Sequence, residues 1–232
     1  MKIRAVLFDY GNTLALCYKK DAFASVLEQC VLNAIDYLRP HGLYYEPDVI
    51  LESAWQYNIE REDLVVTPIE QRLTALFSLA PSFHPMLPGL VEAFMAPNIS
   101  SAKKMPGSDE TLEAIKQRGL TTGIISNLPW GCPAEPWTRQ LETMGLKQYF
   151  DHITYCMDIG VRKPHPEIFK RALAKSGVEA KQALFVGDDP VWDVTGAQEM
   201  GMPVLLFDPE HVVKRDDIPV ISKLTEVLDY LD

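Results

Sequence analysis

Three carboxylates stand at or just beyond the ends of two expected strands. Asp9 follows an apolar run at residues 3–8, Asp188 follows another at residues 183–187, and Asp193 lies in the next helical turn. Such short, β-prone runs are typical of inner strands that are covered on both faces. Ligands bind at the carboxyl ends of strands in open α/β sheets. We therefore expect Asp9 and Asp188 to lie close together.

Two adjacent carboxylates repel each other, and this repulsion predicts a cation between them. Oxygen ligands suit Mg²⁺, which keeps several waters and favours substrates that carry phosphate. Asp9 would then attack phosphorus to form an aspartyl-phosphate, which water hydrolyses.

Two further strand ends carry groups that suit a phosphoryl site. Ser126 and Asn127 end the apolar run at residues 120–126, and their turn offers a hydroxyl and backbone N–H groups to phosphoryl oxygens. Lys163 lies just before a helix that begins at Pro166, and its charge would offset negative charge during phosphoryl transfer. Taken alone, Ser-Asn is ordinary turn chemistry and a single lysine is a solvated charge. The interpretation therefore depends on the whole set.

Periodicity predicts the elements that position these groups. From residue 106 onward, helical and strand patterns alternate, which indicates a mostly parallel, doubly wound sheet with helices on both faces. The strand at residues 3–8 is expected to join this sheet, and Ser108 is expected to cap the first of its helices. The predicted helices are 108–118, 137–144, 166–176, 190–200 and 221–231, and the predicted strands are 120–126, 152–156, 183–186 and 203–207.

Residues 15–100 show helical periodicity and no strand pattern. Helices are expected over residues 21–38, 47–62, 68–79 and 88–95. We therefore predict a helical domain at residues 15–100, inserted into an α/β core that is built from residues 1–14 and 101–232.

Composition limits the classes of partner. The 232 residues are 47% hydrophobic and 23% charged, with a net charge of -10, which argues against nonspecific binding to nucleic acid or to an anionic membrane. No leader and no run of 18 apolar residues is visible, so we expect a cytoplasmic protein. The cysteines form no C-x-x-C pair and are expected to be buried thiols: Cys17, Cys30, Cys132 and Cys156.

Taken in order, residues 8–14, 125–127, 163–164 and 187–193 resemble the four motifs of the haloacid dehalogenase-like hydrolase superfamily. The resemblance covers the α/β core. It implies a Rossmann-like catalytic domain, and a helical insert similar to the first type of cap, which closes over the site. It also implies a Mg²⁺-dependent phosphatase that acts on a small phosphorylated metabolite.

The resemblance assigns a role to each motif residue. It makes Asp9 the nucleophile and a Mg²⁺ ligand, with the backbone carbonyl of Gly11 and the carboxylate of Asp188 as further ligands. Asp193 would act through a metal-bound water or hold Lys163. The phosphoryl group would be bound by Ser126, Asn127 and Lys163.

One position departs from the pattern of the family's phosphatases. Gly11 stands where they usually carry a second aspartate, the general acid and base. Such a group contributes roughly 10²–10⁴-fold, so its loss should slow the reaction unless another group substitutes. Tyr10, Asn12 or a residue of the insert are the candidates.

Three alternative functions remain open. A 2-haloacid dehalogenase would use Asp9 to attack carbon, but such relatives usually have an aromatic residue at position 11 and lack the metal aspartate at position 188. A phosphonate hydrolase normally relies on a cap lysine, and the insert offers only Lys19 and Lys20, both at the hinge. A phosphometabolite-binding protein without catalysis is the third, and Gly11 is its only support.

Substrate choice is expected to lie in the insert and in the loop at residues 128–136. Three prolines stiffen this loop. It either overhangs the cleft with Trp130 as a stacking surface or packs as an ordinary surface loop.

Overall fold

The computed structural model describes residues 2–17 and 22–231. Six parallel strands form the central sheet in the order β5-β4-β1-β6-β7-β8, and β2 and β3 form a separate antiparallel pair. The strands are β1 (Ala5–Phe8), β2 (Ala15–Leu16), β3 (Lys103–Lys104), β4 (Thr121–Ser126), β5 (His152–Tyr155), β6 (Ala183–Gly187), β7 (Val204–Phe207) and β8 (Val220–Ile221).

Strand β1 lies at the centre of the sheet, and all four of its residues are buried. Its last residue, Phe8, pairs in register with Ile124 of β4 and Val186 of β6. The order of strands reverses around β1, so right-handed crossovers place helices on both faces of the sheet. The predicted doubly wound parallel sheet is confirmed, and the carboxyl ends of β1, β4 and β6 meet at one edge.

Three helices of the sheet domain lie close to their predicted positions, and the short helix at residues 156–159 was not predicted. The helices of this domain are α5 (Ser108–Gln117), α6 (Glu135–Thr143), α7 (Cys156–Ile159), α8 (Pro166–Ser176) and α9 (Gly196–Glu199). The expectation that Ser108 caps α5 was wrong. Gly107 occupies the cap position in a left-handed conformation, and the Ser108 hydroxyl donates to the carbonyls of Leu14 and Met105.

Two other helix predictions for this part were wrong in detail. The helix expected at residues 190–200 begins as a π-helical turn, Pro190–Thr195, before α9. The carboxylate of Asp189 accepts from the N–H groups of Val191 and Trp192, which stabilises that widened first turn. The helix expected at residues 221–231 is instead β8 followed by the 3₁₀ helix Leu224–Tyr230, because residues 220–221 extend the sheet beyond β7.

Four α-helices form the block that follows β2: α1 (Phe23–Leu38), α2 (Pro47–Tyr57), α3 (Ile69–Leu76) and α4 (Leu87–Ser100). Helix α4 continues past its predicted end through Pro97, since its buried residues, among them Phe94 and Asn98, keep packing to that point. Helix α2 ends at Tyr57 instead of residue 62, and the chain beyond it runs against the sheet domain. The predicted helix start, Asp21, lies outside the described residues.

A strand was not expected near residue 15, but β2 pairs with β3 over two residues, with Ala15 opposite Lys104 and Leu16 opposite Lys103. Two residues are too few to show alternation in a sequence. This short ladder is the place where the chain leaves the sheet domain and returns to it.

All four cysteines are buried and free, as predicted. Across residues 2–17 and 22–231, no helix has the length and apolar character needed to span a membrane.

Candidate active site

Three carboxylates converge at the edge where β1 and β6 end. One oxygen from each of Asp9, Asp188 and Asp193 lies within 4.8 Å of the others. Asp9 directly follows β1, Asp188 directly follows β6, and Asp193 lies in the π-helical turn. The parallel register of β1 and β6 therefore fixes the separation of the first two carboxylates, as predicted.

The Lys163 ammonium joins this cluster. Its Nζ donates to Oδ1 of Asp9 at 2.5 Å and to Oδ1 of Asp193 at 2.6 Å, and the side chain is only 2% exposed. A lysine this deeply buried requires charged partners, and it has two. Lys163 is thus part of the site rather than a solvated charge.

Asn127 positions Lys163 through the backbone. Its Oδ1 accepts from the Lys163 N–H at 2.8 Å, and its Nδ2 donates to the Lys163 carbonyl at 3.1 Å. This two-point contact ties the end of β4 to the loop before α8. Because the side-chain amide holds the lysine, the phosphate contact expected at Asn127 falls to its backbone N–H and stays a prediction. Ser126 is buried at the end of β4 and lines the cavity, as a phosphoryl contact requires.

Asp193 holds Lys163 with one carboxylate oxygen and the turn with the other. Its Oδ2 accepts from the N–H of Asp189 at 3.0 Å. A side chain at position 187 would collide with the Asp193 carboxylate, so only glycine permits this close approach. Of the two roles expected for Asp193, the structure supports the one that holds Lys163.

The charges in this cluster do not balance. Burial raises the pKa of Asp9 to about 7, although Lys163 opposes the rise. Burial, together with Asp193 and Asp9, raises the pKa of Asp188 well above its usual value. Burial would lower the pKa of Lys163, but the two carboxylates outweigh it and raise that pKa. Three carboxylates against one ammonium leave two excess negative charges when all are ionised, which fits a divalent cation bound by oxygen ligands.

Gly11 lies in a tight turn after Asp9, in which the N–H groups of Leu14 and Ala15 both donate to the Tyr10 carbonyl. A Cβ at position 11 would meet Cys17 Sγ at an ordinary contact distance of 3.8 Å. Burial raises the pKa of that thiol to about 12. Position 11 therefore has room for a Cβ, and it lies on the cavity described below.

The structure does not support Tyr10 as a substitute for the acid at position 11. The Tyr10 hydroxyl donates to Oε1 of Gln140, and burial raises its pKa further above the usual value. Asn12 Oδ1 accepts from the Cys17 N–H at 3.3 Å, so its side chain also has a structural contact.

The cluster forms one side of a cavity of about 580 Å³. The helical block contributes a second group of lining residues, most of them apolar, which includes Phe23, Val26, Leu27, Cys30 and Asn98. Trp130 lines the cavity but is only 3% exposed, because its ring packs on Phe94 with centroids 4.7 Å apart. The structure therefore favours the second of the two interpretations of the 128–136 loop, in which Trp130 is packed and offers no stacking surface to the cleft.

The cavity also includes two residues that sequence reasoning did not select, Glu60 and Arg162. They form an ion pair with each other across 102 positions of the chain. The position of Arg162 next to Lys163 was the one signal available in the sequence.

Comparison with known proteins agrees with this geometry. The family described as haloacid dehalogenase-like hydrolase matches residues 51–207. Glyceraldehyde 3-phosphate phosphatase of Pyrococcus furiosus is 33% identical, over 100% of this chain and 94% of that protein. Ribulose-1,5-bisphosphate 5-phosphatase of Halopiger xanaduensis is 31% identical, over 53% of this chain and 49% of that protein.

Among solved structures, a HAD phosphatase from Thermococcus onnurineus aligns with a TM-score of 0.71 and 24% identity, covering 99% of this chain and 98% of that one. A 2-haloacid dehalogenase from Pseudomonas syringae pv. Tomato aligns with a TM-score of 0.63 and 24% identity, covering 99% and 98%. Both likenesses concern the fold. The family match across two thirds of the sequence and the relative that aligns over the whole chain show that the chain belongs to the haloacid dehalogenase-like hydrolases.

Proposed function

We propose that this hydrolase is a Mg²⁺-dependent phosphatase that cleaves a small-metabolite phosphomonoester through an aspartyl-phosphate at Asp9. The observation that carries the proposal is the buried Lys163 ammonium, which bonds Asp9 and Asp193 beside the carboxylate of Asp188. This arrangement provides a nucleophile, a cation-binding pair of carboxylates and a fixed positive charge in one place. The names of the relatives support a small phosphorylated substrate.

Asp9, the Gly11 carbonyl and Asp188 would hold Mg²⁺, which would neutralise charge on the carboxylates and on the phosphoryl group. Lys163 bonds Oδ1 of Asp9, and we assign the attack on phosphorus to Oδ2. The bond from Oδ2 to phosphorus forms as the ester oxygen–phosphorus bond breaks, and the leaving alkoxide takes a proton from water. A second water, which gives a proton to the hydroxide left by the first, then attacks phosphorus. The bond from phosphorus to Oδ2 breaks, which releases phosphate and restores the Asp9 carboxylate.

Lys163 and Ser126 orient the phosphoryl oxygens in this scheme. Lys163 is preorganised, because Asn127 fixes its backbone and Asp193 fixes its ammonium. Donors that are fixed before the reaction need no rearrangement as charge develops. Asp193 and the side chain of Asn127 are therefore positioning groups that act through Lys163.

The helical block would serve as the cap of this enzyme. We propose the boundaries expected from the sequence, with a cap at residues 15–100 and a catalytic core at residues 1–14 and 101–232. In support, β2 and β3 form the crossing between the two parts, and side chains from α1 and α4 cover the carboxylate cluster.

The alternative activities have weaker support. A dehalogenase that attacks carbon has no use for the carboxylate that Asp188 adds to the cluster. A phosphonate hydrolase requires a cap lysine in the cavity, and Lys163 is the one lysine among the described residues that line it. Lys19 and Lys20 lie outside the described residues. A binding protein without catalysis gains nothing from placing Asp9 and Lys163 in contact.

Hydrolysis of p-nitrophenyl phosphate with Mg²⁺, compared between wild type and Asp9→Asn, tests the proposal. We expect turnover in the wild type and a loss of at least about 10³-fold in the variant, since removal of a nucleophile has effects of that order or larger. This leaving group needs little protonation, so Gly11 does not bias the result. Equal turnover in both proteins would refute the role of Asp9.

A further inference from the structure

We infer that Glu60 is a positioning residue for phosphoryl transfer: from the helical block it holds Arg162, and through Arg162 it aligns Lys163 and the turn that carries Asp193. The inference rests on the proposed phosphatase function. Glu60, a residue of the insert, then contributes to the chemistry itself, in addition to any role of the insert in substrate choice.

The first observation is a backbone contact between the insert and the loop before Lys163. The Arg162 N–H donates to the Leu64 carbonyl at 3.0 Å, and the Val66 N–H donates to the Gly160 carbonyl at 3.0 Å. Val65 and Val161 form an antiparallel bridge between these bonds. The chain after α2 therefore runs as an extra extended segment along residues 160–162.

The second observation is an ion-pair network at the end of this segment. The Glu60 carboxylate pairs with Nη1 of Arg162 through one oxygen and with Nη2 of Arg72, at 2.7 Å, through the other. Arg72 is anchored to the carbonyls of Tyr57 at 2.5 Å and Thr67 at 3.3 Å. The side chain of Glu60 is 18% exposed and both arginines are 5% exposed or less. Since Arg72 is held by its own segment, Glu60 is a fixed anchor for Arg162.

The third observation is that Arg162 touches both arms of the candidate site. It directly precedes Lys163, and its guanidinium carbon lies 5.0 Å from the centroid of the Trp192 ring. Trp192 precedes Asp193, and the backbone N–H of Trp192 donates to the Asp189 carboxylate at 2.8 Å. The guanidinium therefore links the lysine loop to the turn at residues 189–193.

Arg162 depends on Glu60 for its place. Nε of Arg162 is buried and has no hydrogen-bond partner within the described part of the chain. Glu60 is the one carboxylate paired with Arg162 among those residues. If the Glu60 charge is removed, a buried guanidinium loses its counter-ion and must move toward another partner or toward solvent. Such movement displaces the residue next to Lys163, and small misplacements of a positioned group lower the reaction rate.

The test compares Glu60→Gln, Arg162→Gln and the double variant with wild type. Asp63→Asn is the matched control, because Asp63 pairs with Arg61 in the same segment while both side chains are half exposed. We measure kcat and KM with p-nitrophenyl phosphate, and the affinity for inorganic phosphate with Mg²⁺ by calorimetry. Thermal melts verify that each variant is folded at the assay temperature.

We expect kcat and phosphate affinity to fall about 10-fold in each single variant, and no more than about 2-fold further in the double variant, since partners in one network are non-additive. Asp63→Asn should stay within about 2-fold of wild type, as exposed ion pairs contribute little. Arg162→Lys keeps the charge opposite Glu60 and should recover part of the loss. It also provides a variant in which no buried charge is left unpaired, if a glutamine variant fails to fold.

Three results would overturn the inference. They are unchanged kcat and phosphate affinity in folded Glu60→Gln, additive losses in the double variant, and a change confined to KM, which would make Glu60 a substrate contact. If Arg162→Lys is the only folded variant, a loss of about 10-fold or more in its kcat and phosphate affinity would overturn the inference, because the charge opposite Glu60 is kept. Phosphate affinity needs no turnover, so unchanged phosphate affinity in folded Glu60→Gln would overturn the inference even if the wild type does not hydrolyse p-nitrophenyl phosphate.

Discussion

The two walls of the cavity are built on different principles. The floor, which we define as Asp9, Lys163, Asp188 and Asp193, is charged. Two of its residues, Asp9 and Asp188, stand at strand ends that neighbouring strands hold in register. The roof, which we define as Phe23, Val26, Leu27, Cys30 and Asn98, is largely apolar and stands on two helices of the block. The contrast teaches that the groups suited to chemistry and the groups suited to recognising a substrate come from separate parts of the sequence.

Substitutions in the floor should therefore affect all substrates alike, and substitutions in the roof should affect substrates differently. After Asp9→Asn, the largest effect is expected for Asp188→Asn. We predict a loss of kcat of at least about 10²-fold, by the same factor for a small and a large phosphomonoester, because a cation ligand is removed. Kinetics with both substrates check this.

The same variant should change stability in the opposite direction. Without Mg²⁺ its Tm should exceed that of wild type, because one of three crowded carboxylates becomes neutral. The rise in Tm that Mg²⁺ produces in the wild type, by binding the folded state, should disappear. Asp189→Asn, which keeps a capping side chain, is the control and should retain that rise. An intact Mg²⁺ response in Asp188→Asn would contradict the assignment.

Gly11→Asp should produce the next largest effect. The position has room for a Cβ, which would lie 3.8 Å from Cys17 Sγ. A carboxylic acid there could protonate the leaving oxygen. We therefore predict that kcat for an alkyl phosphate rises by roughly 10-fold or more, which is a modest gain beside the usual contribution of acid–base catalysis. The gain for p-nitrophenyl phosphate should be much smaller.

Gly11→Asn is the matched control, because it has nearly the same shape and cannot act as an acid. Equal rates for the two variants on the alkyl phosphate would mean that proton transfer to the leaving group is not limited by residue 11. The comparison of Gly11→Asp with Gly11→Asn separates the effect on kcat of a transferable proton from the effect of the added side chain.

Asn98→Ala should have the smallest effect and should depend on the substrate. Asn98 is a buried polar residue in the apolar roof, and its amide donates to Cys30 Sγ at 3.1 Å. We predict that KM rises about 3- to 10-fold for phosphomonoesters with hydroxyl groups, roughly the energy of one hydrogen bond. The affinity for inorganic phosphate should not change. Asn33→Ala, at an exposed pair with Gln29, is the control. Equal losses for all substrates would break the distinction between roof and floor.

The same contrast explains how much the sequence could predict. The floor was predicted because Asp9 and Asp188 each follow an apolar run, and parallel strands bring such positions together. The contact between Lys163 and Asp193 was one of the two roles that the resemblance implied for Asp193. The contact between the Asn127 amide and Lys163 was not predicted, because its two hydrogen bonds depend on how two loops meet.

The roof and its attachment could not be predicted in the same way. Periodicity identified the helices, but α2 ends early because the following segment pairs with residues 160–162, which no local pattern indicates. The ion pair between Glu60 and Arg162 joins distant parts of the chain. The strand β8 has only two residues, and tertiary pairing with β7 overrides the helical pattern there.

The ladder between β2 and β3 has a consequence for how this architecture can be altered. Residues opposite each other in an antiparallel pair have Cα atoms about 5 Å apart, so the chain leaves and re-enters the sheet domain at nearly one point. A different insert could be grafted between Leu16 and Lys103 without changing the path of any strand of the central sheet. The helical block is in this sense an exchangeable cassette, and gene segments that encode other inserts could be recombined at these two positions.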